Sequence, residues 1–166
     1  MKIIVFVILG VLNAVSAVSQ KSIDRLLKQH NSHSVSYISV EELRALQLND
    51  SILILDAREA DEFKTSRLQN AYFIGYNNFS IDDKKLKTAD KNALIVVYCS
   101  LGIRSEKIGE KLQQAGFTKV RNLYGGIFNW KNKEFPIVNS KGEKTENIHG
   151  FSKHWSQYLK NGNIKY

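Results

Sequence analysis

Ala93-Leu94-Ile95-Val96-Val97-Tyr98-Cys99-Ser100-Leu101-Gly102-Ile103-Arg104-Ser105 is the stretch that decides the fold. As far as Tyr98 it is an apolar run rich in β-branched residues, the pattern of a strand buried on both faces. Downstream, Ile108, Leu112 and Ala115 recur at helical spacing, and Gly116 stands where that helix should stop. Strand, tight loop and helix therefore follow one another. The single cysteine of the chain sits at the start of the loop. Backbone N–H groups of such a loop can converge inward, and a helix N-terminus adds partial positive charge. Arg104 adds a full charge. All three favour thiolate over thiol, and the thiolate is the nucleophile. A buried structural cysteine is the plainer alternative. The glycine, the arginine and the strand–loop–helix setting argue for a reactive one.

Outward from this stretch, apolar runs at 52–55 and 71–74 read as further strands, as do 35–38 and 119–123. Between them, Ser39 is placed to cap a helix to about residue 46, and Glu42 three positions on completes a capping-box pattern. Residues 60–64, and the segment from Gly126 to Trp130, read as short helices. Strands that alternate with helices and are apolar on both faces define an α/β protein with a mainly parallel sheet covered on both sides. In such sheets ligands bind beyond the carboxyl ends of the strands. Asp56, Arg58 and Cys99 all fall on that edge.

Four segments carry a resemblance. They are Leu55-Asp56-Ala57-Arg58-Glu59, Glu62-Phe63, Cys99 to Ser105, and Leu123-Tyr124-Gly125-Gly126-Ile127-Phe128-Asn129-Trp130. In their order and spacing the chain resembles the single-domain rhodaneses, over roughly residues 35–138. The resemblance implies a three-layer α/β/α fold around a central, mainly parallel five-stranded sheet. It implies that Cys99 accepts a sulfane sulfur as a persulfide from a small anionic donor such as thiosulfate. The sulfur would then pass to a thiol or cyanide, with no cofactor and by ping-pong kinetics. Arg104 is the candidate to bind the donor anion, because a guanidinium is a planar fork suited to oxyanions. Ser100, Leu101, Gly102, Ile103 and Ser105 complete the candidate substrate loop, Gly102 by a turn closed to side chains. Ser100, Leu101 and Ile103 are expected to supply N–H groups and walls rather than side-chain chemistry. Asp56 and Arg58 are expected to support the edge, with Arg58 paired to Glu59 or Glu62. Gly125 and Gly126 are expected to let the last helix approach the sheet, anchored by Trp130. Many members carry Gly-His-Ile-x-Gly-Ala after the Glu-aromatic pair, where this chain has Ser66-Arg67-Leu68-Gln69-Asn70-Ala71. Asn70 tolerates the left-handed conformation of the usual glycine, while Arg67 in place of histidine puts the local turn in question.

A related phosphatase or arsenate reductase would use Cys-x5-Arg, and here only four residues separate Cys99 from Arg104. A loop one residue short cannot ring a phosphoryl group with donors. A non-catalytic interaction module is disfavoured by the retained cysteine. A relay that exchanges sulfur with a partner protein would use the same chemistry at Cys99.

The chain has 166 residues, 43% hydrophobic and 24% charged, enough for one domain with appendages. Its formal net charge of +8 favours anionic substrates. The lysines are scattered without interleaved aromatics, so nucleic acid is not an expected partner. Lys2, the apolar run from Ile3 to Leu12 and the small residues up to Ala17 read as an export signal, with cleavage after Ala17 fitting best and after Ser19 the second choice; an uncleaved anchoring segment is the alternative. The mature protein is then expected in the periplasm or outside the cell, touching a membrane only through that signal. Residues 18–34 read as an N-terminal arm or helix, and 139–166 as a tail. In the tail Phe151, Trp155, Tyr158 and Leu159 share one face of an amphipathic helix, which either docks on the domain or binds a partner. His30, His33, His149 and His154 form no metal-ligand pattern.

Overall fold

Five parallel strands, in the order β1-β5-β4-β2-β3, carry the site. They are β1 (Tyr37–Ile38), β2 (Ile52–Asp56), β3 (Tyr72–Phe73), β4 (Leu94–Tyr98) and β5 (Lys119–Leu123). The computed structural model describes residues 23–47 and 52–166. Residues 1–17, where an export signal is expected, lie outside the described residues. The chain divides into two units, 1–32 and 33–166. In the first, the described part is helical over 23–30 (α1), as the spacing of Ile23, Leu26 and Leu27 predicts. The second unit holds the sheet together with the whole tail from 139 onward.

The central pair, β2 and β4, is in register from Ile52↔Leu94 to Asp56↔Tyr98. Side chains alternate along a strand, so Leu55, Ile95, Val97 and Val120 face one side. There they pack with Ile108 and Leu112 of α5 (Arg104–Gln114) and with Leu86 of α4 (Lys84–Thr88). Fully burying each such aliphatic side chain stabilises the fold by roughly 1.5–3 kcal/mol. Ile54, Val96 and Tyr98 point the other way and are equally buried. Helices therefore cover both faces, which is the expected α/β/α arrangement.

The remaining helices of this domain are α2 (Val40–Leu46), α3 (Ala60–Thr65) and α6 (Gly126–Asn132). Ser39 Oγ accepts the Glu42 N–H at 3.1 Å and so caps α2. Trp130 is fully buried, and its Nε1 donates to Pro136 O at 3.0 Å. Asn70 takes φ +62°, the left-handed conformation expected of it. Arg67 exchanges backbone hydrogen bonds with Val138 at 2.9 Å and stacks on the Phe63 ring, so its turn is braced.

The tail differs from the single amphipathic helix expected. A hairpin, β6 (Ile137–Val138) with β7 (Lys144–Thr145), is followed by a parallel pair, β8 (Asn147–His149) with β9 (Asn163–Lys165). Helix is confined to one turn, α7 (Lys153–Ser156). Phe151 has φ +62°, which no helix accommodates, and Ser152 caps α7 only after it. Asn132 at the end of α6 ties the segment down: it donates to Tyr158 O at 2.8 Å and accepts the Lys160 N–H at 2.6 Å.

Candidate active site

Cys99 follows β4, at the carboxyl edge, and is 2% exposed. The chain then turns through Gly102, at φ +107°, a conformation that side chains rarely adopt. That turn brings the Gly102 N–H back to Cys99 Sγ at 3.1 Å. Ser105 Oγ lies 3.5 Å from the sulfur and 2.7 Å from Asn122 Oδ1, so one hydroxyl proton is shared between two acceptors. Asn122, on β5, also donates to Gly102 O at 2.8 Å and fixes the turn from below. On the far side, Gly126 begins α6 against the loop backbone. A Cβ there would lie 2.3 Å from Cys99 O, and φ is +55°.

Arg104 opens α5, where a cation opposes the helix dipole unless an anion stands near. The anion is Glu62, in the first turn of α3. Its two oxygens accept from Arg104 Nη1 and Nη2, both at 2.7 Å, in a bidentate pair. Ser100 Oγ bridges them, donating to Glu62 Oε1 and accepting from Arg104 Nη2, each at 3.0 Å. Ser100 thus contributes its side chain, contrary to the expectation of N–H groups alone. Glu62 also accepts the Glu59 N–H at 3.0 Å.

Electrostatics follow this geometry. Burial alone would push the Cys99 thiol up. The Arg104 charge and hydrogen bonds from Ser105 and Gly102 outweigh it and hold the thiol below its ordinary range. Burial would likewise raise the Glu62 carboxyl, but Arg104 pulls it below the usual carboxylate range, helped by the Glu59 N–H and the Arg58 charge. The loop thus offsets the burial penalty on the Cys99 thiolate, the nucleophilic form.

Arg58 does not pair with Glu59 or Glu62 as expected. Its Nε and Nη2 donate to Asp56 at 2.9 and 2.7 Å, and both residues are fully buried. The chain turns directly after β2, and the Arg58 N–H donates back to Asp56 Oδ1 at 3.1 Å, which brings the two side chains together. Tyr98 O–H also donates to Asp56, while Arg58 Nη2 reaches Ser66 O. This cluster lies within the scaffold and supports the edge.

A pocket of about 100 Å³ opens onto Cys99. Ser100, Leu101, Ile103 and Arg104 line it from the loop, and Phe151 and Trp155 line it from the tail. The Phe151 ring centroid lies 4.5 Å from the Arg104 guanidinium carbon. The sequence reading missed Glu62 as the partner of Arg104, along with Asn122, Phe151 and Trp155. Among the described residues no cluster of His, Cys, Asp and Glu could hold a metal ion.

The family model of the rhodanese-like domain matches residues 39–133. The chain belongs to the rhodanese-like domain family. It is 38% identical over 114 residues to a tRNA uridine(34) hydroxylase of Listeria monocytogenes, a match that covers 65% of this chain and 34% of the relative. The chain thus spans about a third of the length of that relative. It is 31% identical to the thiosulfate sulfurtransferase GlpE of Coxiella burnetii over 57% of this chain and 88% of the relative. Among solved structures, a rhodanese-related protein from Thermoplasma volcanium superposes with a TM-score of 0.53 at 25% identity, covering 62% of this chain and 97% of that one.

Proposed function

We propose that the protein is a sulfurtransferase that moves a sulfane sulfur from a donor such as thiosulfate to a thiophilic acceptor through a persulfide on Cys99. The observation that carries this reading is the loop around Cys99. There a buried sulfur receives the Gly102 N–H, lies beside Ser105 and Arg104, and faces a pocket. In the first half-reaction the thiolate attacks the outer sulfur of thiosulfate. The Sγ–S bond forms, the donor S–S bond breaks, and its electron pair leaves with sulfite. In the second half-reaction cyanide or a thiolate attacks the outer sulfur of the persulfide. The Sγ–S bond breaks, and its electron pair returns to Cys99. The cycle is redox-neutral and needs no cofactor.

Arg104 favours the anionic sulfur at both ends of the cycle and adds positive charge beside an anionic donor. Glu62 positions that arginine and offsets part of its charge. The match to a thiosulfate sulfurtransferase spans nearly that whole relative, whereas the hydroxylase match spans a third of its own. Whole-protein analogy therefore favours sulfur transfer over hydroxylation. Cys99→Ser should abolish sulfur transfer from thiosulfate to cyanide with the fold retained by circular dichroism. A variant as active as the parent would refute the reading.

We also propose, on the basic, apolar and small-residue succession from Lys2 to Ala17, that the protein is exported. Protein recovered from its host should begin near Val18. Recovery of the uncleaved chain in the cytosol would contradict this.

A further inference from the structure

The pocket over Cys99 is walled by two aromatic residues that lie beyond the matched domain, Phe151 and Trp155. Three observations mark this wall as built. Phe151 holds φ +62° although it is bulky and not glycine, and such an outlier persists only where its surroundings enforce it. His149 Nδ1 accepts the Phe151 N–H at 3.0 Å, and the Gly150 N–H is held by Lys165 O at 2.9 Å. The ring so placed covers the face of Arg104 at 4.5 Å, although Phe151 itself is 43% exposed. Leu101 and Ile103 supply apolar surface from the loop. Among the described residues that line the pocket the one cation is Arg104, which already faces the Glu62 carboxylate at 2.7 Å through both terminal nitrogens. A carboxylate on an incoming acceptor must share that charge with Glu62 and with the anionic sulfur, so apolar contact with the two rings sets the choice between acceptors. The pocket, at about 100 Å³, is smaller than the ~150 Å³ apolar cavities that admit benzene. It fits a compact stem of a few carbons.

We propose that Phe151 and Trp155 select the sulfur acceptor, an organic thiol with a compact, uncharged apolar stem. The proposal rests on the sulfur-carrier reading of Cys99. The stem lies against the two rings while the acceptor enters as thiolate, its proton lost to water. Its sulfur bonds to the outer sulfur of the Cys99 persulfide, and the Sγ–S bond breaks with the electron pair kept on Sγ. An organic persulfide leaves, with no net oxidation.

The test loads the full chain with inorganic polysulfide, removes the excess, and confirms one added sulfur by mass. Discharge is then timed with propanethiol and with mercaptopropionate, two thiols of like length that differ in a carboxylate. The parent should discharge faster to propanethiol. In Phe151→Asn, which keeps a residue tolerant of the left-handed backbone, and in Trp155→Leu, the ratio of the two rates should fall about tenfold, the scale of one lost apolar contact in a pocket. A ratio unchanged in both variants overturns the proposal, whether the two rates hold or fall together. So does a parent that prefers mercaptopropionate. A parent that takes up no sulfur overturns the sulfur-carrier reading itself, and the mass measurement separates that failure from the others.

Discussion

Replacing Arg104 by methionine keeps an apolar stem under Phe151 and removes the charge beside Cys99. Two consequences follow, and they have different origins. The first is chemical. Two unit charges 4 Å apart interact by about 4 kcal/mol at the effective dielectric near a protein surface. Glu62 cancels part of this, so a loss of about 1.4 kcal/mol, or tenfold in rate, is the conservative expectation. Alkylation of Cys99 by iodoacetamide at neutral pH should slow about tenfold, and its pH profile should move to higher pH. The second consequence is structural. The Glu62 side chain is 3% exposed and loses both bonds at 2.7 Å. Removing one partner of a buried pair costs about 3–5 kcal/mol. The remaining donors to Glu62, Ser100 Oγ and the Glu59 N–H, place the expected loss at about 2–3 kcal/mol, within the range for a hydrogen bond to a charged group. For a chain of this size that lowers the melting temperature by roughly 4–12 °C. The double variant with Glu62→Gln separates the two effects. It should recover most of the stability, and only the small part of the thiol reactivity that the Glu62 carboxylate itself opposes. If Arg104→Met alkylates with the rate and pH profile of the parent, the charge of Arg104 does not hold the thiolate, and the reasoning fails.

Gly126→Ala should destabilise by at least about 1–3 kcal/mol, the cost of overpacking, because its Cβ would meet Cys99 O at 2.3 Å. Chemical unfolding measures the loss, and Cys99 alkylation should change with it because the loop must shift. Glu62 predicts an acid limit. Its carboxyl is depressed in the folded state, so its contribution is present above the unfolded value near pH ~4.3 and is lost as pH falls through the folded value. Stability against pH should therefore be flatter below about pH 4.3 in Glu62→Gln than in the parent.

Strands buried on both faces are legible because burial on both faces forces continuous apolar runs, as in Leu94–Tyr98. The loop is legible for a similar reason: its turn needs Gly102, and its sulfur needs a nearby positive charge. The Glu62–Arg104 pair was not legible. The partners stand 42 residues apart in sequence and meet only in the folded chain. The partner of Arg58 could have been found. An aspartate at a strand end accepts the N–H two residues on in a tight turn, which sets Arg58 beside Asp56. The tail misled because Phe151, Trp155, Tyr158 and Leu159 carry helical spacing while, of the four, Trp155 alone stands in a helix. Tertiary bonds from Asn132 and the β8–β9 pairing override the periodicity. β9 exposes all three of its residues, so it carries no apolar signal to read.

The most direct test of the central claim is the mass of the intact protein after incubation with thiosulfate and removal of the excess. One added sulfur atom is expected, located on the peptide that contains Cys99, lost on addition of cyanide with the release of thiocyanate, and absent from Cys99→Ser. A protein whose mass is unchanged by thiosulfate and by polysulfide alike would contradict it.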